Sequence, residues 1–508
     1  MTTIGRRSFV FLAMRLIAAL MGYVGFYFLA KYLGPAGYGD LALVMSLVAT
    51  FNALADLGFG SAHIKKISEG KDINDCVSTY AMVKIILTLV TVVVTVIALL
   101  IWATYMGGSL DGTIGSLIIL FLLYNVFYNL AGIASNTYNA TMEAVKSQMA
   151  GLVDVSIRIP LIVIFMLGGA GAVAAGYAYV AAALGVLLFG LYLLFRDRIK
   201  LVRPSLLREY WKFSLPLALI AVVGTVAANM PNLTIGWFYP THSEYVGYYS
   251  GTSFFLSVFA LVGSAVATMT YPSFSKLHVN GHMSEIRKMT CQAERYISII
   301  GMPITAVMVA FPTETARVMI GGNFAAAGEP LRYLAISTML TLLNQVHSSQ
   351  ILAVNRPDLS AKVTLASFAV TAVLLFLLVP STLFGVPWIG LAYTGAAIAI
   401  MLSTGILFVI VRYVVYKLTR TGTNPRIALH VIAGVVAGLS LLLLAEVLPL
   451  EGWIQMVVYG LYSLGVFLVA LWLLRELHKD DVMYFWDILN PRKLWHYIRG
   501  EMKRKEAS

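Results

Sequence analysis

Three cations stand inside stretches of sequence that are otherwise fit for lipid: Arg15, Lys84 and Arg158. Arg15 and Lys84 lie about six residues into apolar runs, roughly 9 Å along a helix, and Arg158 lies about ten residues in. A charge near the bilayer centre costs about 2.5–3.5 kcal/mol on insertion scales, so it faces a helix interface or a wet cavity. Together the three form a candidate cationic cavity for a phosphate-bearing group, because arginine offers a planar fork of donors and lysine a point charge. Each has a structural explanation as well. Asp154 precedes Arg158 by one helical turn on the same face. Asp56 lies in the inner part of the second apolar run, where it could neutralise Arg15 or Lys84, and both cations could also snorkel inward. Arg15 shares its face with Ala18, Ala19, Gly22 and Gly25, a small-residue stripe that marks a helix–helix side.

Three further basic residues are placed toward the outer ends of their runs. Arg317 snorkels and is given no role; Lys31 and Arg332 either snorkel or line an outer vestibule. Uncharged polar residues fall at matching depths: Asn125, Asn129 and Asn136 in the fourth run, Asn229 and Asn232 around Pro231 in the seventh, and Asn344, Gln345 and His347 in the tenth. They read either as interhelical hydrogen bonds or as a polar lining for sugars. The prolines of the seventh run, Pro216 and Pro231, free backbone carbonyls that could hold a coupling cation, Na⁺ or H⁺.

These residues need a scaffold that water does not surround. Only 12% of the 508 residues are charged and 59% are hydrophobic, against about 25% charged in soluble domains. Runs of the ~20 apolar residues needed to cross a bilayer lie near 9–33, 38–59, 78–104, 114–138, 148–168, 171–195, 211–238, 246–271, 294–312, 330–353, 361–381, 387–414, 427–448 and 453–475. The expected fold is an all-α integral membrane protein of about 14 transmembrane helices. The first run is too long for a signal-peptide core and is read as a retained helix.

Lysine and arginine test the topology, since they gather in cytoplasmic loops. With the N-terminus inside, 30 of the 36 basic residues fall in inner segments, Arg412 among them. The outer loops at 105–113, 239–245, 382–386 and 449–452 hold none. The net charge of +12 is thereby explained by membrane orientation, without nucleic acid. Both termini are expected in the cytoplasm. Cys76 and Cys291 fall on that side and have no CxxC or Cys/His neighbour, so neither a disulfide nor a metal site is expected. The tail from Asp480 to Lys505 alternates apolar and basic residues, as in helices lying on the inner surface.

An internal repeat organises the runs. Asn139–Val153 and Ser349–Val363 align without gaps at an offset of 210, placing Lys146 opposite Arg356. Leu33–Leu41 has a weaker echo in Phe238–Tyr248. The offset spans six runs, an even number, so the halves are parallel and substrate would bind between them. The expected organisation is an N-lobe at 1–200, a C-lobe at 201–420, two extra helices at 421–478 and a basic amphipathic tail at 479–508.

The segment Lys31–Gly70, KYLGPAGYGDLALVMSLVATFNALADLGFGSAHIKKISEG, resembles the opening of polysaccharide-biosynthesis flippases of the multidrug/oligosaccharidyl-lipid/polysaccharide exporter superfamily. The matching pieces are Leu33-Gly34-Pro35 with Tyr38-Gly39, then Asp56-Leu57-Gly58 before a basic segment. The resemblance implies alternating-access translocation of a glycan on a polyprenyl or dolichyl (pyro)phosphate, from the cytoplasmic to the outer leaflet of a prokaryotic cell membrane. It also implies a basic central cavity, for which Arg15, Lys84 and Arg158 are the candidates. A monomer among membrane lipids is expected, with no nucleic acid partner.

Two other classes fit less well. A cation-coupled multidrug antiporter of the same superfamily would want an acidic, aromatic cavity, whereas the buried excess here is basic. A membrane enzyme, such as a ligase, polymerase or glycosyltransferase, needs a sizeable outer loop with catalytic groups, and the outer loops are short and nearly uncharged.

Overall fold

A computed structural model describes residues 2–105, 112–141, 143–354, 356–422 and 424–477. The expected surface helices of the tail, 479–508, lie outside the described residues. The chain is almost entirely helical: α1 (Thr2–Asn52), α2 (Phe59–Ser68), α3 (Ile73–Tyr105), α4 (Gly112–Ala140), α5 (Ala144–Leu167), α6 (Ala172–Arg196), α7 (Leu207–Phe238), α8 (Ser243–Val279), α9 (Met283–Ala310), α10 (Pro312–Met319), α11 (Gly328–Ala353), α12 (Pro357–Leu378), α13 (Ala392–Thr419), α14 (Ile427–Val447) and α15 (Trp453–Leu473). A two-residue antiparallel hairpin, β1 (Thr382–Leu383) with β2 (Val386–Pro387), sits in the loop before α13.

Helices dominate because lipid cannot hydrogen-bond the backbone, so each spanning segment satisfies its own. Among the described residues, eleven helices are long and apolar enough to cross a membrane. This differs from the expected fourteen for physical reasons. The first two runs are two helices within α1, which the count takes together; they are separated at Gly34 (φ 66°, ψ −178°), which precedes Pro35, and fold back so that the Phe26 and Tyr38 rings stand 5.4 Å apart. Helix α11 is too polar to qualify, with Asn344, Gln345, His347, Ser348, Ser349 and Gln350 in one stretch, and α8 falls outside the set as well.

The 210-residue offset recurs in one pair of helix starts. Helix α3 begins at Ile73 and α9 at Met283, and α5 and α12 follow the two copies of the aligned loop. Helices α1, α4, α5 and α6 pack together; α8, α9, α11 and α13 form a second group, and α14 and α15 pack on α9. The two groups meet chiefly through α1, which lies along α8 and α7.

Glycine is obligatory where they meet. A Cβ on Gly39 would stand 1.8 Å from the Ser243 carbonyl oxygen, and one on Gly247 would stand 2.0 Å from that of Pro35. The Leu-Gly-Pro…Tyr-Gly motif and its echo at Phe238–Tyr248 are therefore two surfaces in direct contact. Deeper along the same seam, Asn232 Nδ2 donates to Ser46 Oγ (2.8 Å), and Ser250 Oγ donates to Asn232 Oδ1 (2.9 Å).

Candidate functional site

Charged and polar groups at membrane depth gather in three places. The first is a turn between α1 and α2. Leu57 and Gly58 both adopt left-handed backbone (φ 45° and 81°). A Cβ on Gly58 would meet the Leu217 Cβ at 2.9 Å, so conformation and space both require glycine. The turn presents Asp56, whose carboxylate accepts the Gly60 N–H (3.2 Å), the Tyr80 hydroxyl (3.2 Å) and Lys84 Nζ (3.2 Å). Lys84 also donates to the Ala55 carbonyl at 2.9 Å. Asn136 Nδ2 donates to Tyr80 Oη at 2.8 Å, tying α4 into the group. The lysine side chain is only 6% exposed while that of Asp56 is 42% exposed, so the pair has a dry end and a wet end.

The second place is on α5. Arg158 donates through Nε (3.1 Å) and Nη2 (2.6 Å) to Asp154 Oδ2, and its guanidinium lies 4.8 Å from the centre of the Tyr179 ring. These bonds occupy one edge of a fork that carries five N–H groups, and the Nη1 amine takes no partner among the described residues. Asp154 Oδ1 is buried without a partner. Asp56 and Asp154 thus stand as the charge partners of Lys84 and Arg158. The backbone of Arg15 lies in α1, but its side chain is outside the described residues.

The third place is one that the sequence reading divided up wrongly. Arg412, assigned to a cytoplasmic loop by its basic character, sits in α13 and is only 8% exposed. Its partner is Glu294 of α9, which is fully buried. Arg412 Nη2 and His347 Nε2 both donate to Glu294 Oε1, the latter at 2.8 Å, and Arg412 Nη1 donates to Asn344 Oδ1 at 3.1 Å. The guanidinium also lies 3.4 Å from the Phe408 ring centre. Beyond it, Gln350 donates to Thr290 and accepts from Thr419. Glu294 Oε2, His347 Nδ1, Arg412 Nε and Asn344 Nδ2 are buried without partners. Sequence spacing had no means of joining Glu294 to Arg412, because they are 118 positions apart on different helices. The available signal was that Lys84 and Glu294 occupy equivalent positions under the 210-residue offset.

The remaining polar residues divide by helix. Asn129 donates to Asn52 Oδ1 at 2.6 Å, linking α4 to α1, and Asn232 bridges α7, α1 and α8. Asn125 and Asn229 bond back to carbonyls of their own helices, Phe121 and Thr225. Gln345 Oε1 is without a partner. Lys31 and Arg332 are exposed, far from Arg158 in sequence, and Lys31 lies over Tyr27 and Tyr32 at 6.0 and 5.7 Å.

Below these groups, three basic loops are tied together. Lys66 bridges Glu69 (3.0 Å) and Glu209 (2.7 Å), Lys71 reaches Glu209 (3.4 Å), and Lys146 reaches Asp197 (2.6 Å). Lys66 lowers the Glu209 carboxyl below its ordinary range. His63 of α2 is the buried link of this face. Its Nδ1 pairs with Tyr210 Oη (3.0 Å), its Nε2 with Thr137 Oγ1 (2.9 Å), and its ring stacks 4.4 Å from Tyr80. Burial pushes the imidazole down from 6.5 to about 4, so it is neutral at pH 7.

Among the described residues no group of His, Cys, Asp and Glu has the makings of a metal site. What the described residues offer is three cations within the spanning helices, Lys84, Arg158 and Arg412, each paired with a carboxylate.

Similar proteins agree with this architecture. The chain is 23% identical over 412 residues to the probable low-salt glycan biosynthesis flippase Agl15 of Haloferax volcanii, covering 79% of this chain and 81% of that one. It is 22% identical over 421 residues to the probable flippase AglR of the same organism, with the same shares. Among solved structures, the fold is shared with an inward-facing multidrug resistance MATE family transporter of the MOP superfamily. The TM-score is 0.63 at 16% identity, over 82% of this chain and 99% of that one. A MOP superfamily transporter from Pyrococcus furiosus, for which a reverse polarity of the binding pocket is described, gives a TM-score of 0.55 at 18% identity over 82% and 96%. The model of the family described as polysaccharide biosynthesis protein matches residues 4–278, more than half of the chain, and this multi-pass membrane protein belongs to that family.

Proposed function

We propose that the protein is a flippase that carries a lipid-(pyro)phosphate-linked oligosaccharide from the cytoplasmic to the outer leaflet of a prokaryotic cell membrane. The lipid is a polyprenyl or dolichyl carrier, and the glycan is destined for the cell surface. The observation that carries this reading is Arg158: an arginine inside a spanning helix, held by Asp154 through Nε and Nη2, whose Nη1 amine takes no partner among the described residues. A phosphate oxygen suits that vacancy, since guanidinium N–H groups match phosphate geometry. The probable low-salt glycan biosynthesis flippase and the probable flippase of Haloferax volcanii, similar over about four-fifths of both chains, support a flippase role tied to glycan biosynthesis.

The mechanism we infer is alternating access of two six-helix lobes, 1–200 and 201–420, with α14 and α15 as additions. Both termini and the loops that carry Lys66, Lys146 and Lys71 face the cytoplasm. The α1–α8 seam at Gly39 and Gly247 closes the opposite side. There the backbones lie in contact, so a sliding or parting of this seam opens the route outward. Arg15 belongs to this proposal as a second cation of the lining, and the Lys84–Asp56 pair reaches it through the exposed Asp56 carboxylate. Coupling by Na⁺ or H⁺ belongs to this proposal. Asp56 and Asp154, the carboxylates beside Lys84 and Arg158, are its candidate residues.

The test is leaflet translocation in proteoliposomes, with a polyprenyl-phosphate-linked sugar as cargo. Wild type should transport; Arg158→Ala should lose most of the rate and Arg158→Lys should recover only part of it. Equal transport by Arg158→Ala would remove Arg158 from substrate binding and leave it as the partner of Asp154.

A further inference from the structure

A cavity of about 750 Å³ lies on the flank of the N-terminal group, and none of its lining residues belongs to the three charged clusters. Its walls are α3 and α6 and its floor is α4, which packs against both. Ala81, Ile85, Ala131, Leu187 and Leu191 make it almost wholly apolar. Its mouth differs in character: it is closed off by Arg198, Ile199, Lys200 and Leu201, in the loop that leaves α6.

That loop is built with a cost. Helix α6 ends in a pair of bonds, Arg198 N–H to the Phe195 carbonyl (3.0 Å) and Ile199 N–H to that of Leu194 (3.1 Å). This C-terminal motif needs one left-handed residue, for which glycine is preferred. Here the residue is Arg198, at φ 57°. A side chain is kept at a backbone position that penalises it, and strain of this kind gathers at functional positions. The second cation is fixed by its backbone, since Lys200 N–H donates to Asn74 Oδ1 at 2.8 Å.

Nearby acids do not neutralise the pair. Asp197 is engaged by Lys146 (2.6 Å) and Tyr138 (2.8 Å), and Asp75 by the Ser205 hydroxyl and its N–H (2.9 Å). Among the described residues no carboxylate lies within ion-pair distance of Arg198 or Lys200, and both are exposed. A basic mouth over an apolar slot, at the end of membrane-spanning helices, has the chemistry of a site for anionic headgroups.

We propose that this groove is a seat for one anionic phospholipid of the bilayer, distinct from the transported substrate. The phosphate rests on Arg198 and Lys200, and an acyl chain fills the slot between α3 and α6. The bound lipid joins α3 to α6 across their gap and steadies the N-terminal group. The site stands on membrane residence and on its own residues, so it does not depend on the substrate assigned above.

The experiment uses the full chain in detergent, read by thermal unfolding and by native mass spectrometry. Phosphatidylglycerol should raise the wild-type midpoint by several degrees and leave a one-lipid adduct, whereas phosphatidylcholine should do neither. Arg198→Gly with Lys200→Ala should abolish the shift and the adduct. In lipid-free detergent Arg198→Gly alone should unfold no earlier than wild type, because it relieves the left-handed strain. Ala81→Phe, which fills the slot and leaves the mouth intact, should also lose the adduct. The proposal is overturned by equal stabilisation from phosphatidylcholine, by a full phosphatidylglycerol shift in the double variant, or by a shift given only by polyprenyl phosphate.

Discussion

Lys84 and Glu294 occupy equivalent positions in the two halves of the chain, and they solve the same problem in opposite ways. Each is a charge buried near the same end of its bundle. In the N-terminal half the charge is a lysine whose partner, Asp56, keeps a 42% exposed side chain. In the C-terminal half the charge is a carboxylate at 0% exposure, and its partners Arg412 and His347 are 8% and 1% exposed. The first pair can trade its carboxylate between protein and water. The second is sealed, so its charges are compensated only by one another. The difference teaches that positions matched by a sequence offset need not share their chemistry. One half keeps a polar group in reach of solvent, and the other locks a charged group into helix packing.

Substitutions can break this contrast or sharpen it. The largest effect is expected from Glu294→Ala, which leaves Arg412 buried without its counter-charge and should cost about 3–5 kcal/mol of stability. Thermal unfolding in detergent reads it, and combining it with Arg412→Leu should recover much of the loss. A smaller cost for the single variant would mean that water reaches the cluster.

Next comes acid. The His63 imidazole is held well below its ordinary 6.5, at about 4. A depressed pKa means that the unfolded chain binds the proton first, so stability is complete above about 6.5 and falls as the pH drops toward 4. The full contribution is about 3 kcal/mol at 1.36 kcal/mol per pH unit. A melting profile between these limits should flatten in His63→Gln. An unchanged acid limb would show that the ring is solvated.

Gly58→Ala should cost about 1–2 kcal/mol, because the turn that presents Asp56 demands left-handed backbone. It should also weaken the Asp56–Lys84 pair, so that adding Lys84→Ala costs less than it does alone. The smallest effect belongs to Lys84→Ala itself, at about 1 kcal/mol, since Asp56 can turn its charge to water. If Lys84→Ala proved as damaging as Glu294→Ala, the wet-against-sealed contrast would be gone.

Much of this architecture was legible in the amino-acid order. Apolar runs of spanning length and sparse charge force an all-helical membrane fold, since nothing else pairs its backbone in lipid. The Asp154–Arg158 pair was legible too, because one helical turn separates the two. The starts of α3 and α9 lie 210 residues apart, the same spacing as the aligned loop segments. What could not be read needs three dimensions. Arg412 was misplaced because arginine density marks loops only on average, and its partner Glu294 lies on another helix. The helix ends at Gly34, between the first two runs, but only the fold shows them packed back on each other through Phe26 and Tyr38. His63 stands two residues before Lys65 in the sequence, and only packing shows it buried between Tyr210, Thr137 and Tyr80.

The central claim is best tested by offering the protein both cargoes at once. Reconstituted wild type would be given a polyprenyl-phosphate-linked sugar in one leaflet and a lipophilic organic cation in the lumen, with the movement of each followed separately. The account predicts that the glycolipid crosses, that its crossing depends on Arg158, and that the cation stays where it is. Export of the cation with an immobile glycolipid would contradict it.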